Sequence, residues 1–105
     1  MFIAMNRFTT AAGQEAGFEK MWRERESHLG GVPGFVRFAL MRGQTAEGAE
    51  TQVFLSHTTW QSREAFEAWT QSEAFTAAHR QGSLAGVLAE HPELSFYDSV
   101  IVEEA

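Results

Sequence analysis

The chain has 105 residues, no cysteine and a net charge of −6, from fourteen acidic against eight basic residues. That length suits a single domain spanning residues 1–105. The absent cysteine removes disulfides, thiolate ligands and thiol nucleophiles, and an acidic balance without a basic stripe argues against nucleic-acid binding. No charged leader precedes an apolar run, and no run approaches the ~20 residues of a membrane span, so the expectation is a cytoplasmic chain without membrane association.

Residues 2–8 alternate and predict a strand, with Phe2, Ala4, Asn6 and Phe8 on one face and Ile3, Met5 and Arg7 on the other. A turn over residues 9–13 leads into a helix predicted over residues 14–29. Along it Phe18, Trp22, Arg25 and Leu29 share a side, broadened by Met21. Gly30-Gly31 ends this helix, and Val32-Pro33-Gly34 leads into a second strand over residues 35–42. The polar loop 43–50 predicts a hairpin with a third strand over residues 51–60.

Ser62 is placed as an N-cap, with Glu64 in the first turn, for a helix over residues 63–69. Thr70-Gln71-Ser72 breaks it, and Ser72 caps a second short helix to about residue 80. Residues 81–93 read as a mobile loop, 94–102 as a fourth strand and 103–105 as a charged tail. The order βαββαβ is the ferredoxin-like α+β arrangement, an antiparallel sheet with helices on one face. Ile3 and Met5 make the other face apolar too. Nine Phe and three Trp are more than one small core can hold. Both features predict a homodimer with the two sheets packed face to face.

Three residues could carry chemistry. Asn6 is of a type depleted in strands. It reads either as a buried amide bonded to neighbouring backbone or a bulge, or as a functional group. His79 follows Phe75 at i+4, on one face of the short helix. Its imidazole suits an iron ligand, a single axial His being a common haem tether, or it binds the last helix carbonyls. Trp69, ten residues before His79, reads as core or as the wall of a cofactor pocket. His28, His57 and His91 compete with His79 as ligands. Trp22 and Trp60 read as core. No H-E-x-x-H, phosphate loop or G-x-S-x-G motif is present.

The chain resembles the antibiotic biosynthesis monooxygenase (ABM) superfamily of dimeric α+β barrels, and within it the IsdG-like haem-degrading monooxygenases. The matching residues are Met5-Asn6-Arg7-Phe8, then Phe18, Trp22 and Arg25, then Pro33-Gly34-Phe35. Thr59-Trp60-Gln61-Ser62 follows, with Ala65-Phe66, Trp69, Ser72, Phe75 and Ala78-His79. The resemblance implies a catalytic set of Asn6, Trp69 and His79. His79 would be the axial ligand of haem iron, Trp69 would press on the porphyrin and favour ruffling, and Asn6 would donate a hydrogen bond to the distal oxygen ligand. Phe75, Phe66 and Phe8 would enclose the haem, with Arg23, Arg25 or Arg80 as cations for its propionates. Haem would be both cofactor and substrate, opened with oxygen and electrons from an external donor, a reductase or small reductant, to release iron. The alternatives are a cofactor-free ABM-type oxygenase acting on an aromatic polycyclic substrate, and a non-catalytic haem- or ligand-binding dimer.

Overall fold

Alternation along the first strand sets the architecture. In the computed structural model, which describes residues 1–79 and 86–105, the elements are β1 (Phe2–Thr10), α1 (Glu15–Glu24), β2 (Phe35–Arg42), β3 (Gln52–Trp60), α2 (Arg63–Thr70), α3 (Glu73–His79) and β4 (Glu93–Asp98). β1 pairs antiparallel with β3 on one side and β4 on the other, and β2 flanks β3, giving the order β2-β3-β1-β4. This is the expected antiparallel βαββαβ fold.

Phe2, Ala4, Phe8 and Thr10 are buried on one face of β1, as are Phe54, Ser56 and Trp60 on β3. The helices pack on this face, and the core forms two clusters. One joins Phe2, Ala4, Leu29 and Trp60, with Phe66 and Trp69 of α2 against it. The other joins Phe8, Phe18 and Phe54, with Trp22 of α1 against it. No side chain of the opposite face, such as Ile3, Met5, Leu55 or Ala39, joins either cluster.

Both serine caps form as expected. Ser62 Oγ accepts from the Ala65 N–H at 3.2 Å, and Ser72 Oγ accepts from the Phe75 N–H at 3.2 Å. These contacts satisfy donors that a helix start leaves open. They matter because α2 and α3, eight and seven residues long, are too short to stand alone.

Three expectations are corrected. The first helix ends at Glu24 rather than at residue 29. Arg25 takes φ −67° and ψ 150°, and the Ser27 hydroxyl accepts from the Leu29 N–H at 3.5 Å, a local bond that competes with helix. Leu29 still reaches the core through this turn. The fourth strand ends at Asp98 rather than at residue 102: among the described residues no strand lies beside Val100, Ile101 and Val102, which are 91%, 80% and 61% exposed. Of the expected mobile loop, residues 81–85 lie outside the described residues. Its later part is tied to β1: Ala11 N–H donates to Val87 O at 2.7 Å and Ala89 N–H donates to Thr9 O at 2.8 Å.

Gly34 connects the sheet to α2. Its φ of +82° suits glycine, its carbonyl accepts from the Gln61 N–H at 2.8 Å, and a Cβ there would collide with the Ala65 Cβ. Gly34→Ala therefore combines left-handed strain with overpacking. It is expected to cost about 2–4 kcal/mol of stability, read from urea unfolding. Adding Ala65→Gly should restore only the overpacking part, and full stability in Gly34→Ala would refute the account.

Candidate active site

Between the two core clusters the interior stays open. A cavity of about 510 Å³ lies over the middle of the sheet, within the range of small-molecule sites. Its floor includes Ala4, Asn6 and Phe8 from β1 and Ser56 and Thr58 from β3. Phe66 and Trp69 from α2 and Phe75 and His79 from α3 line the helical side, and Trp22, Arg25 and Leu29 close one end. The structure thus brings Asn6, Trp69, His79, Phe75, Phe66 and Phe8 around one space.

Asn6 sits in regular pairing, opposite Ser56 on β3 and Leu94 on β4, so no bulge accounts for it. Among the described residues its amide has no hydrogen-bond partner. The expectation of an amide satisfied by neighbouring backbone is therefore not met.

His79 lies over its own helix. Its ring stacks on Phe75, centroids 4.0 Å apart, and Nδ1 lies 2.8 Å from the Phe75 carbonyl oxygen. A carbonyl only accepts, so Nδ1 carries the proton and Nε2 of the neutral ring keeps its lone pair. A hydrogen bond of this kind orients a histidine for metal ligation. The helix-carbonyl role and the ligand role weighed from the sequence are thus compatible in one residue.

Trp69 is packed edge-on to Phe75, centroids 4.9 Å apart at 85°, and against Trp60 at 5.2 Å. Its Nε1–H is buried without a partner, as is that of Trp60. Trp60 is fully buried, the core role expected of it.

Arg25 is the one arginine among the described residues lining the cavity, and no carboxylate lines it. Its guanidinium carbon lies 4.9 Å from the Trp22 ring centroid and 4.7 Å from that of Phe38. Aromatic faces hold a cation, but they leave its N–H groups unsatisfied, and Nε is buried without a partner. Burial pulls its pKa below the usual guanidinium range, which leaves it a cation at neutral pH.

The remaining candidates separate. Arg23 is turned to Glu19 at 3.2 Å, and Arg80 lies outside the described residues. His28 lines the cavity, whereas His57 pairs across the strands with Met5 and Ala39 on the opposite sheet face. His91 is exposed. No group of three or more His, Cys, Asp or Glu among the described residues could hold a metal ion. Ser56 went unremarked in the sequence because a serine in a strand carries no local signal. Only the strand register places it against Asn6.

With this geometry in place, the family is clear. The model of the family described as antibiotic biosynthesis monooxygenase matches residues 1–81, and the chain belongs to that family. It is 32% identical over 85 residues to a "Heme oxygenase (mycobilin-producing)" of Mycobacterium tuberculosis, covering 79% of this chain and 77% of that one. With a "Heme-degrading monooxygenase" of Bacillus thuringiensis it shares 33% identity over 72 residues, 68% of this chain and 64% of the relative. The structure of the heme-degrader MhuD from Mycobacterium tuberculosis, with two hemes bound in its active site, superposes with a TM-score of 0.69 at 25% identity. That match covers 99% of this chain and 100% of the other.

One ion-pair cluster fixes the helix that carries Trp22 and leads to Arg25. Glu19 on α1 accepts from Arg42 Nε of β2 at 2.7 Å and from Arg23 at 3.2 Å. The Arg42 hydrogen bond, with the charges of Arg42 and Arg23, holds the Glu19 carboxyl below its ordinary value of 4.5. The depressed pKa means the pair stabilises the fold above about pH 4.5 and loses that contribution as pH falls through the folded-state pKa. Glu19→Gln should therefore unfold more easily than wild type at pH 7, with the two converging at strongly acid pH. Parallel stability curves down to pH 3 would contradict this.

Proposed function

We propose that this protein is a haem-degrading monooxygenase that takes haem into the cavity as its substrate. The observation that carries the proposal is His79. Its tautomer is set by the Phe75 carbonyl, its Nε2 has no hydrogen-bond partner among the described residues, and it lines the same apolar cavity as Asn6 and Arg25. Haem is an apolar disc with an axial coordination need and a carboxylate-bearing edge. The donor set among the described residues fits it: an imidazole nitrogen, aromatic walls and one arginine, with no lining carboxylate. The named relatives support the same reading.

In this proposal His79 Nε2 holds the iron, and Phe75, Phe66 and Phe8 enclose the ring. Trp69 would form an aromatic wall against the ring, through which the protein would tune the bound group. Arg25 would meet a propionate, which would give its guanidinium, buried at Nε, the partner it lacks. Asn6 presents its amide as a hydrogen-bond donor toward the reacting side. Bound haem supplies an iron that activates oxygen, and its own ring is oxidised and opened, releasing iron and an open tetrapyrrole. The electrons come from an external donor, a reductase or small reductant. The protein works in the cytoplasm.

The proposal includes a homodimer formed through the open sheet face. Ile3, Met5, Val53, Leu55 and Ala39 lie there, with Met41 and Tyr97 39% and 53% exposed. The exposed Val100-Ile101-Val102 segment continues from the edge strand β4, which leaves it free to pair with a second copy.

A haem titration tests the first proposal. Wild type should give a Soret band saturating near one equivalent per chain, lost in His79→Ala. Arg25→Met should weaken haem affinity about 10- to 100-fold, the worth of a charge-assisted hydrogen bond. Adding ascorbate under oxygen should then bleach the Soret band, more slowly in Asn6→Ala and Trp69→Ala. No Soret band at micromolar haem would refute the haem reading, and haem surviving reductant and oxygen would leave a binder rather than an enzyme.

Sedimentation equilibrium at tens of micromolar tests the dimer. The expected mass is twice that of the 11.7 kDa chain. Leu55→Arg, a charge placed on the open face, should give monomers. A monomeric wild type would overturn the arrangement.

A further inference from the structure

The polar side chains on the helix-facing side of β1 and β3 are not all alike. Thr10 Oγ1 donates to the Gln52 carbonyl at 3.2 Å, and Thr58 Oγ1 donates to the Ala4 carbonyl at 3.2 Å. These two hydroxyls are satisfied within the sheet. Ser56 and Asn6, between them, are not. Ser56 is 7% exposed, and neither its hydroxyl nor the Asn6 amide has a hydrogen-bond partner among the described residues.

The two residues are direct cross-strand neighbours, Asn6↔Ser56, and both line the cavity. Such neighbours hold their Cβ atoms ~4.5–5.5 Å apart on one face of the sheet. A single small ligand can therefore touch both groups at once. Neither group is among the polar atoms buried without a partner, so both open on the cavity, where a ligand can reach them. Two adjacent polar groups that face the cavity and hold nothing within the described residues make a contact for a ligand with acceptor atoms.

We infer that Ser56 is a second hydrogen-bonding contact, acting beside Asn6, for a small polar ligand taken up together with haem. The ligand class is a diatomic molecule or small anion with acceptor atoms, toward which Ser56 Oγ–H and the Asn6 amide N–H both donate. The inference rests on the haem reading above. It adds that the sheet side of the cavity offers a two-point contact, where only Asn6 of the expected set Asn6, Trp69 and His79 lies on the sheet.

Two measurements test it. In the haem-free protein, Ser56→Ala should melt at about the wild-type temperature, since the hydroxyl holds no hydrogen bond within the described residues. A fall of more than about 4 °C would make the hydroxyl structural and overturn the inference. In the ferric-haem complex, azide serves as the probe ligand in a spectrophotometric titration. Ser56→Ala should weaken azide binding about 3- to 10-fold, the worth of one hydrogen bond, while the Soret band keeps its intensity. Ser56→Thr, which keeps the hydroxyl, should restore most of the affinity. An unchanged azide affinity in Ser56→Ala with haem still bound would overturn this inference alone. A wild-type protein that binds no haem would remove the haem reading, and this inference with it.

Discussion

The spacing of side chains along β1 is the constraint on which the rest depends. Pairing on both sides holds this strand straight through Asn6, so period-two alternation commits Phe2, Ala4, Asn6, Phe8 and Thr10 to the helix-facing side. Its two ends anchor separate aromatic clusters, Phe2 with Trp60 and Phe8 with Phe18 and Phe54. Between them Asn6 faces Ser56, where a closed core would place aliphatic groups. Aromatic rings laid directly on that pair would bury an amide and a hydroxyl without partners, at about 1–3 kcal/mol for each group. The interior therefore closes at both ends and stays open in the middle, and the cavity is the result.

The early end of α1 serves the same space. A helix continued from Glu24 would bind the Arg25 side chain to the helical surface. Leaving the helix at Arg25 lets its guanidinium lie over Trp22 and Phe38 while Leu29 turns back into the Phe2–Trp60 cluster. Stacking on two aromatic faces offsets part of the desolvation of the cation. The buried Nε without a partner marks what stacking does not supply. Glu19, tied to Arg42 of β2, holds α1 in place beneath this arrangement.

Much of this was legible in the residues, and the exceptions have physical causes. Alternation put Asn6 on the face of Phe2 and Phe8, and Ser62 and Ser72 announced their helices because capping is a local interaction. Helical periodicity grouped Phe18, Trp22, Arg25 and Leu29 correctly as neighbours of the core, yet it extended the helix too far. The residues beyond Glu24 reach the same side by a turn, and periodicity cannot distinguish that from a helix. The end of β4 depends on whether a neighbouring strand exists for Val100 to Val102, which composition does not reveal. Ser56 depends on a register set across the 49 residues between it and Asn6. No local pattern marks it.

The two sides of the cavity are held by different physics. The floor belongs to strands β1 and β3, each hydrogen-bonded on both sides, so the position of Asn6 against Ser56 follows from register. The roof belongs to two short helices whose order comes from serine caps and from a run of ring contacts, Trp60 to Trp69 to Phe75 to His79. The aim of the imidazole is thus transmitted from a fully buried core tryptophan through successive aromatic faces and completed by the Phe75 carbonyl. Because register and aromatic packing are set by different residues, the floor can change its hydrogen-bonding character without moving the roof, and the roof can change its ligand without shifting the sheet. A fold divided in this way can carry several chemistries, because the side chains at the gap can vary while the arrangement of strands around it stays the same.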